Sequence, residues 1–274
     1  MNSLRSVVPS LLLLAFVAFG APPDAAVPRP IEKAETVFIE EMTWLEVRDA
    51  LKDGKTTVIV PTGGVEMNGP YLITGKHNYI VRAVAEATAR KLGNALVAPV
   101  VPFVPEGDID PPTGHMEYPG TISLRESTYE LLLTDICASF RTHGFQNIVL
   151  IGDSSGNQDG MKNVAAALNR KWAKGKTRIH FIAEYYEDYD ALENMVKKKG
   201  VVEKDEGLHD DFITSATLAA VDPALIRAKQ RQAAKKFTIN GVNLAPLENT
   251  VAWGKSIIDF RAETAAKAIR AAVK

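Results

Sequence analysis

The sequence predicts an α/β fold of three layers, α/β/α, around a mostly parallel sheet. Two observations carry this. Short apolar runs, most of them rich in β-branched residues, occur at residues 56–61, 95–101, 147–151 and 178–183, and such runs suit strands buried on both faces. Between them, at 79–92, 127–143 and 157–172, apolar residues recur at helical spacing. The chain therefore alternates strand and helix, as right-handed βαβ crossovers require.

Taken in order, the first strand (TTVIVP) runs into Pro61-Thr62-Gly63-Gly64, a loop signal. The helix that follows carries Ile80, Val84, Ala87 and Leu92, and Gly93 closes it. The second strand leads into a loop rich in proline and glycine at 102–120. A helix at 127–143 ends at Gly144, ahead of the third strand, and 157–172 is helical again. The fourth strand precedes a helix at 186–199. The last third changes character, with helices near 212–221, 223–235 and 247–273 and a turn segment at 238–246. With no internal repeat and no dividing linker, one domain is expected at 33–274.

The N-terminus has another purpose. Arg5 precedes an apolar run at 7–19, then Ala18-Phe19-Gly20 before Ala21, then Pro22, Pro23, Pro28 and Pro30. That is the order of a secretory signal peptide at 1–20 followed by a Pro/Ala-rich linker at 21–32. The run falls short of the about 20 residues a bilayer span needs. The expectation is an exported chain, periplasmic or secreted, with no membrane attachment after cleavage.

Charge is balanced, with 32 basic and 33 acidic residues. No long basic run is present, so neither nucleic acid nor an anionic membrane is expected as a partner. The single cysteine, Cys137, lies in an apolar helical pattern and reads as a buried thiol.

In parallel α/β sheets ligands bind beyond the carboxyl ends of the strands. The polar residues there are Glu66, Asn68, Lys76, His77 and Asn78 after the first strand, and Glu106, Asp108, Asp110, His115 and Glu117 after the second. Asp153, Ser154, Ser155 and Asn157 follow the third, and His209-Asp210-Asp211 opens a later helix. Carboxylates and imidazoles from separate strand ends offer oxygen and nitrogen donors that suit Zn or Mn. Each also has a plainer reading: Glu66 as a loop acid, Asp153 or the 209–211 segment as a helix cap. The 152–156 segment lacks the lysine of a phosphate-binding loop and the glycine spacing of a dinucleotide fingerprint. His143 and His180 read as structural, and the Tyr185-Tyr186 pair suits a pocket wall or core.

The order of these motifs resembles the creatininase family. Pro61-Thr-Gly63-Gly-Val-Glu66-Met-Asn68-Gly69-Pro70 looks like its first strand-loop block, and His115 followed by Tyr118-Pro119-Gly120-Thr121-Ile122-Ser123-Leu124 like its second. Residues 143–157 look like the third block, and His209 with Thr214-Ser215 and Pro223 loosely echoes a fourth. The resemblance implies a creatininase-like fold and a metal-dependent hydrolase of amide or cyclic-amide bonds in small molecules. It also implies a homo-oligomer.

The family's ligand positions are partly substituted. Glu66 is kept, while Asn68 stands at a His position, His77 at a bridging Asp position and Ser154 at a second His position. The expected metal set is therefore Glu66, His77 and Asp153 around one Zn or Mn ion, with an open position for water. His209 is expected to protonate the leaving nitrogen, with Asp210 orienting it or completing the site. Catalysis thus falls to Glu66, His209 and Asp210, and substrate contacts to Asn68, His115, Ser154 and Asn157. The alternative is a catalytically altered or metal-free small-ligand binder on the same scaffold.

Overall fold

The continuous apolar runs do form a parallel sheet in the computed structural model, which describes residues 27–274. The signal peptide expected at 1–20, and residues 21–26 of the linker expected at 21–32, lie outside the described residues. Lys33–Lys274 forms one compact unit.

A capping box at Thr43 and Glu46 starts α1 (Trp44–Lys52), a helix the apolar spacing does not announce. Then β1 (Thr57–Thr62) passes through the loop bearing Glu66 into α2 (Lys76–Leu92), which begins three residues earlier than its apolar stripe suggests. After β2 (Ala95–Val97) the long loop leads to α3 (Glu126–Thr142), β3 (Asn147–Gly152), α4 (Gln158–Lys171) and β4 (Arg178–Phe181). The helix expected at 186–199 divides into α5 (Glu184–Glu187) and α6 (Tyr189–Lys198). The chain continues with α7 (Phe212–Val221) and α8 (Ala228–Ala233). A small antiparallel hairpin follows, β5 (Thr238–Ile239) and β6 (Val242–Asn243), turning at Asn240-Gly241, and then α9 (Leu247–Ala272).

The four long-range strands pair in the order β2-β1-β3-β4, all parallel, with Thr57 opposite Asn147 and Thr62 opposite Gly152. Side chains alternate across the sheet, so it is covered twice. Ile59, Val97, Val149 and Ile151 pack under α2, α7 and α9. Val58, Val60, Ile148 and Leu150 pack under α3 and α4, where Cys137 is fully buried and its thiol pushed up to about 12 by burial. Three layers result. Their effect on function is to bring the loops after β1, β2 and β3 together at one sheet end, with α9 lying across the same end through Arg261. Among the described residues no helix is long and apolar enough to cross a membrane.

Candidate active site

Glu66 lies in the loop after β1 and is almost fully buried. Its Oε1 faces Lys76 Nζ at 3.1 Å and His77 Nε2 at 2.8 Å, both from the first turn of α2. The opposite edge of the His77 ring, Nδ1, stands 2.7 Å from Asp153 Oδ2 just beyond β3. Asp153 Oδ1 in turn accepts from Tyr185 Oη at 2.8 Å and pairs with Arg261 of α9 at 2.8 Å. A charged chain therefore runs Lys76–Glu66–His77–Asp153–Arg261 through the interior.

This chain sets the charge states. Burial alone would lower His77, but its hydrogen bonds to Asp153 and Glu66 outweigh burial and raise it to about 9. Burial pushes Asp153 up, yet the Arg261 charge and the His77 bond hold it well below the usual carboxylate range. Glu66 is likewise held well below that range, because His77 and Lys76 overcome its burial.

On its outer side Glu66 meets two further imidazoles. Its Oε2 lies 3.3 Å from His115 Nε2, carried by a 3-10 turn at Gly114–Glu117. His209 Nδ1 lies 3.7 Å from Oε1 and 3.0 Å from the Met67 carbonyl, which can only accept, so Nδ1 donates. The two rings stack at 4.7 Å and 23°. Burial lowers the pKa of His115, favouring the neutral ring. Among the described residues, Glu66, His115 and His209 are the group whose donor atoms converge within 4.8 Å, close enough to hold a metal ion.

Glu106, from the loop after β2, completes the cluster. Its Oε2 accepts from the Ser154 hydroxyl at 3.1 Å, while Oε1 is buried without a hydrogen-bond partner. Burial and the Glu66 carboxylate raise its pKa to about 8. Two glycines make room for it: a Cβ on Gly64 would run into Glu106 Oε1, and one on Gly156 into the Pro105 carbonyl.

The sequence-based assignments separate here. Glu66, His77 and Asp153 do come together, but the two carboxylates sit on opposite edges of one imidazole and cannot converge on a single ion. The set expected to bind metal is thus a hydrogen-bonded relay, and His115, expected to contact substrate, stands beside Glu66 within the group of converging donors. Asp210 does not orient His209. The Met67 carbonyl does so, while the Asp210 carboxylate is buried against Gly69 with neither oxygen hydrogen-bonded. Asn68 braces its own loop, donating to the Glu66 and Ile73 carbonyls at 3.1 and 2.8 Å. Asn157 is fully enclosed, bonded to the Thr62 and Gly63 carbonyls, and so fixes the end of β1. Ser154 faces Glu106. The cap expected somewhere in 209–211 is Asp211, whose Oδ1 accepts from Thr214 N–H at 2.6 Å.

Lys76, Glu106 and Arg261 are the functional residues that sequence reasoning leaves without a role. The first two stand among the polar strand-end residues. Arg261 looks like any charge on an amphipathic helix, and nothing local marks it. Beside the interior chain opens a cavity of about 450 Å³, lined by Lys76, His77, Asp153, Tyr189, Asp211 and Arg261 among others.

Comparison with known proteins adds the following. The family profile described as Creatininase (creatinine amidohydrolase) matches residues 40–269. The chain is 27% identical over 144 residues to the 3-dehydro-scyllo-inosose hydrolase of Thermotoga maritima, covering 53% of this chain and 42% of that protein. It is 27% identical over 118 residues to the creatinine amidohydrolase of Pseudomonas putida, covering 43% and 45%. These matches span less than half the length of either relative. A crystal structure of creatininase superposes over 87% of this chain and 98% of its own, with a TM-score of 0.65 at 20% identity, which establishes a shared fold.

Proposed function

Because this chain belongs to the creatininase family across residues 40–269, we propose that it hydrolyses amide or cyclic-amide C–N bonds of small molecules at the Glu66 cleft, with one divalent ion held by Glu66, His115 and His209. The observation that carries the proposal is the convergence of those three donors at the end of a parallel sheet. Solved creatininases described as zinc and manganese forms support the choice of ion. When bound, such an ion polarises a carbonyl and lowers the pKa of its water.

The chain's own residues supply the rest. Lys76 and His77 fix Glu66 through Oε1, so that Oε2 is presented to His115. The Met67 carbonyl holds a proton on His209 Nδ1, so a bond from this ring to an ion would come from Nε2. With His209 in that trio, the proton for the leaving nitrogen falls to Glu106, which keeps its carboxyl proton at neutral pH. Export to the periplasm or beyond belongs to the same proposal and rests on Arg5 and the apolar run at 7–19. Cell fractionation tests it.

A second reading is a metal-free binder of small ligands. The observation favouring it is that every inner donor is already engaged by a cation of the chain. One experiment separates the two: elemental analysis of purified protein, with an assay against a panel of small cyclic amides that includes creatinine. Stoichiometric Zn or Mn and hydrolysis lost in Glu66→Ala support the hydrolase. Metal-free protein inert on the whole panel, before and after metal loading, overturns it.

A further inference from the structure

The interior chain alternates in sign along its whole length: Lys76, Glu66, His77, Asp153, Arg261. Carboxylates at 2.8 and 2.7 Å flank both edges of the His77 ring, and ionised carboxylates only accept. His77 therefore donates from both nitrogens, which makes it a cation and leaves it no lone pair for a metal. Lys76, His77 and Arg261 together set three positive charges against two negative ones. All five side chains are largely withdrawn from solvent, where charges must be paired.

We propose that Lys76, His77 and Arg261 act as tethered cations that occupy the inner half of the site in place of a metal ion, holding Glu66 and Asp153 in position whether or not an outer ion is bound. The inference deepens the hydrolase reading by limiting the site to a single ion, but it depends on that reading only for where the ion sits. The inner half is assembled by folding alone, and its charge balance does not vary with metal supply.

The test uses the full chain in a His115→Ala background, which breaks the outer donor set, and follows thermal melting with and without a chelator, along with metal content. The expected result is a folded protein without stoichiometric metal, whose melting midpoint is the same with and without chelator. Adding His77→Asp should lower that midpoint by several degrees, because three carboxylates then face two cations. Zinc or manganese should restore it, as mass action requires when an ion binds only the folded state. A His115→Ala chain that retains an ion, or that loses its melting transition on chelation, overturns the proposal. So does a double variant that melts like its parent and ignores metal. If the double variant does not fold, the single variant decides. Absence of amide hydrolysis in the wild type would count against the function proposed above and leave this inference standing.

Discussion

The rings of His115 and His209 stack at 4.7 Å although they come from a loop after β2 and a segment ahead of α7. They are held there separately, His209 by the Met67 carbonyl and His115 by its 3-10 turn, so neither depends on the other for its position. Replacing either by alanine should therefore leave the fold intact and remove the ion. The affinity loss should exceed the roughly 10–100-fold typical of an outer-shell partner. Competition titration with a zinc indicator checks this, and unchanged affinity in His115→Ala would refute the outer trio.

Arg261 and Asp153 form a buried pair, with side chains 10% and 4% exposed. Arg261→Met leaves the carboxylate facing only His77 and Tyr185. Loss of one partner of such a pair costs about 3–5 kcal/mol. Urea unfolding should show the drop, and Arg261→Lys should recover part of it.

Stability should fall on the alkaline side. His77 is raised from 6.5 to about 9 in the folded protein, so its contribution is complete below pH 6.5 and is lost as pH rises through 9. Glu106, raised from 4.5 to about 8, acts in the same direction, since the folded state holds a proton that the unfolded chain has already released. Through Glu106 the urea midpoint should begin to decline above pH 4.5, and it should fall most steeply from pH 6.5, where His77 joins, up to about 9. In His77→Gln that decline should be much shallower, and a parallel decline would count against the assignment.

Glu106→Gln keeps the shape of the neutral acid. Its stability near pH 7 should stay within about 1 kcal/mol of wild type, since a neutral hydrogen-bonding group replaces a neutral one. Hydrolysis should drop by on the order of 10²-fold or more if Glu106 delivers the proton. Full activity would reassign that role.

The fold was legible in the sequence where a single physical requirement dominates. Parallel strands buried on both faces need uninterrupted apolar runs, and residues 56–61 and 147–151 are such runs. Two elements carry readable signals that the apolar spacing does not contain: the Thr43-to-Glu46 capping box of α1 and the Asn240-Gly241 turn of the small hairpin. At the site, the gathering of Glu66, His77 and Asp153 follows from their places after strands and at a helix start. Which edge of the His77 ring meets which acid does not follow, because it depends on ring orientation, and this decides between a metal set and an ion-pair relay. Arg261 was beyond reach for another reason. Its partner lies on a different element far back in the sequence, and only the docking of α9 brings the two together.

That docking makes α9 more than a cover for the sheet. With the helix detached, Asp153 would lose Arg261, and Leu218 and Ile257 would lose their shared core. Detachment would thus cost electrostatic and apolar energy at once. A form of the protein with its sheet intact but α9 adrift would be sparsely populated, and amide exchange in α9 should proceed by the same opening as exchange in β3. The sheet end that carries Glu66 and Asp153 would then be either wholly assembled or wholly lost, with no half-built cleft between.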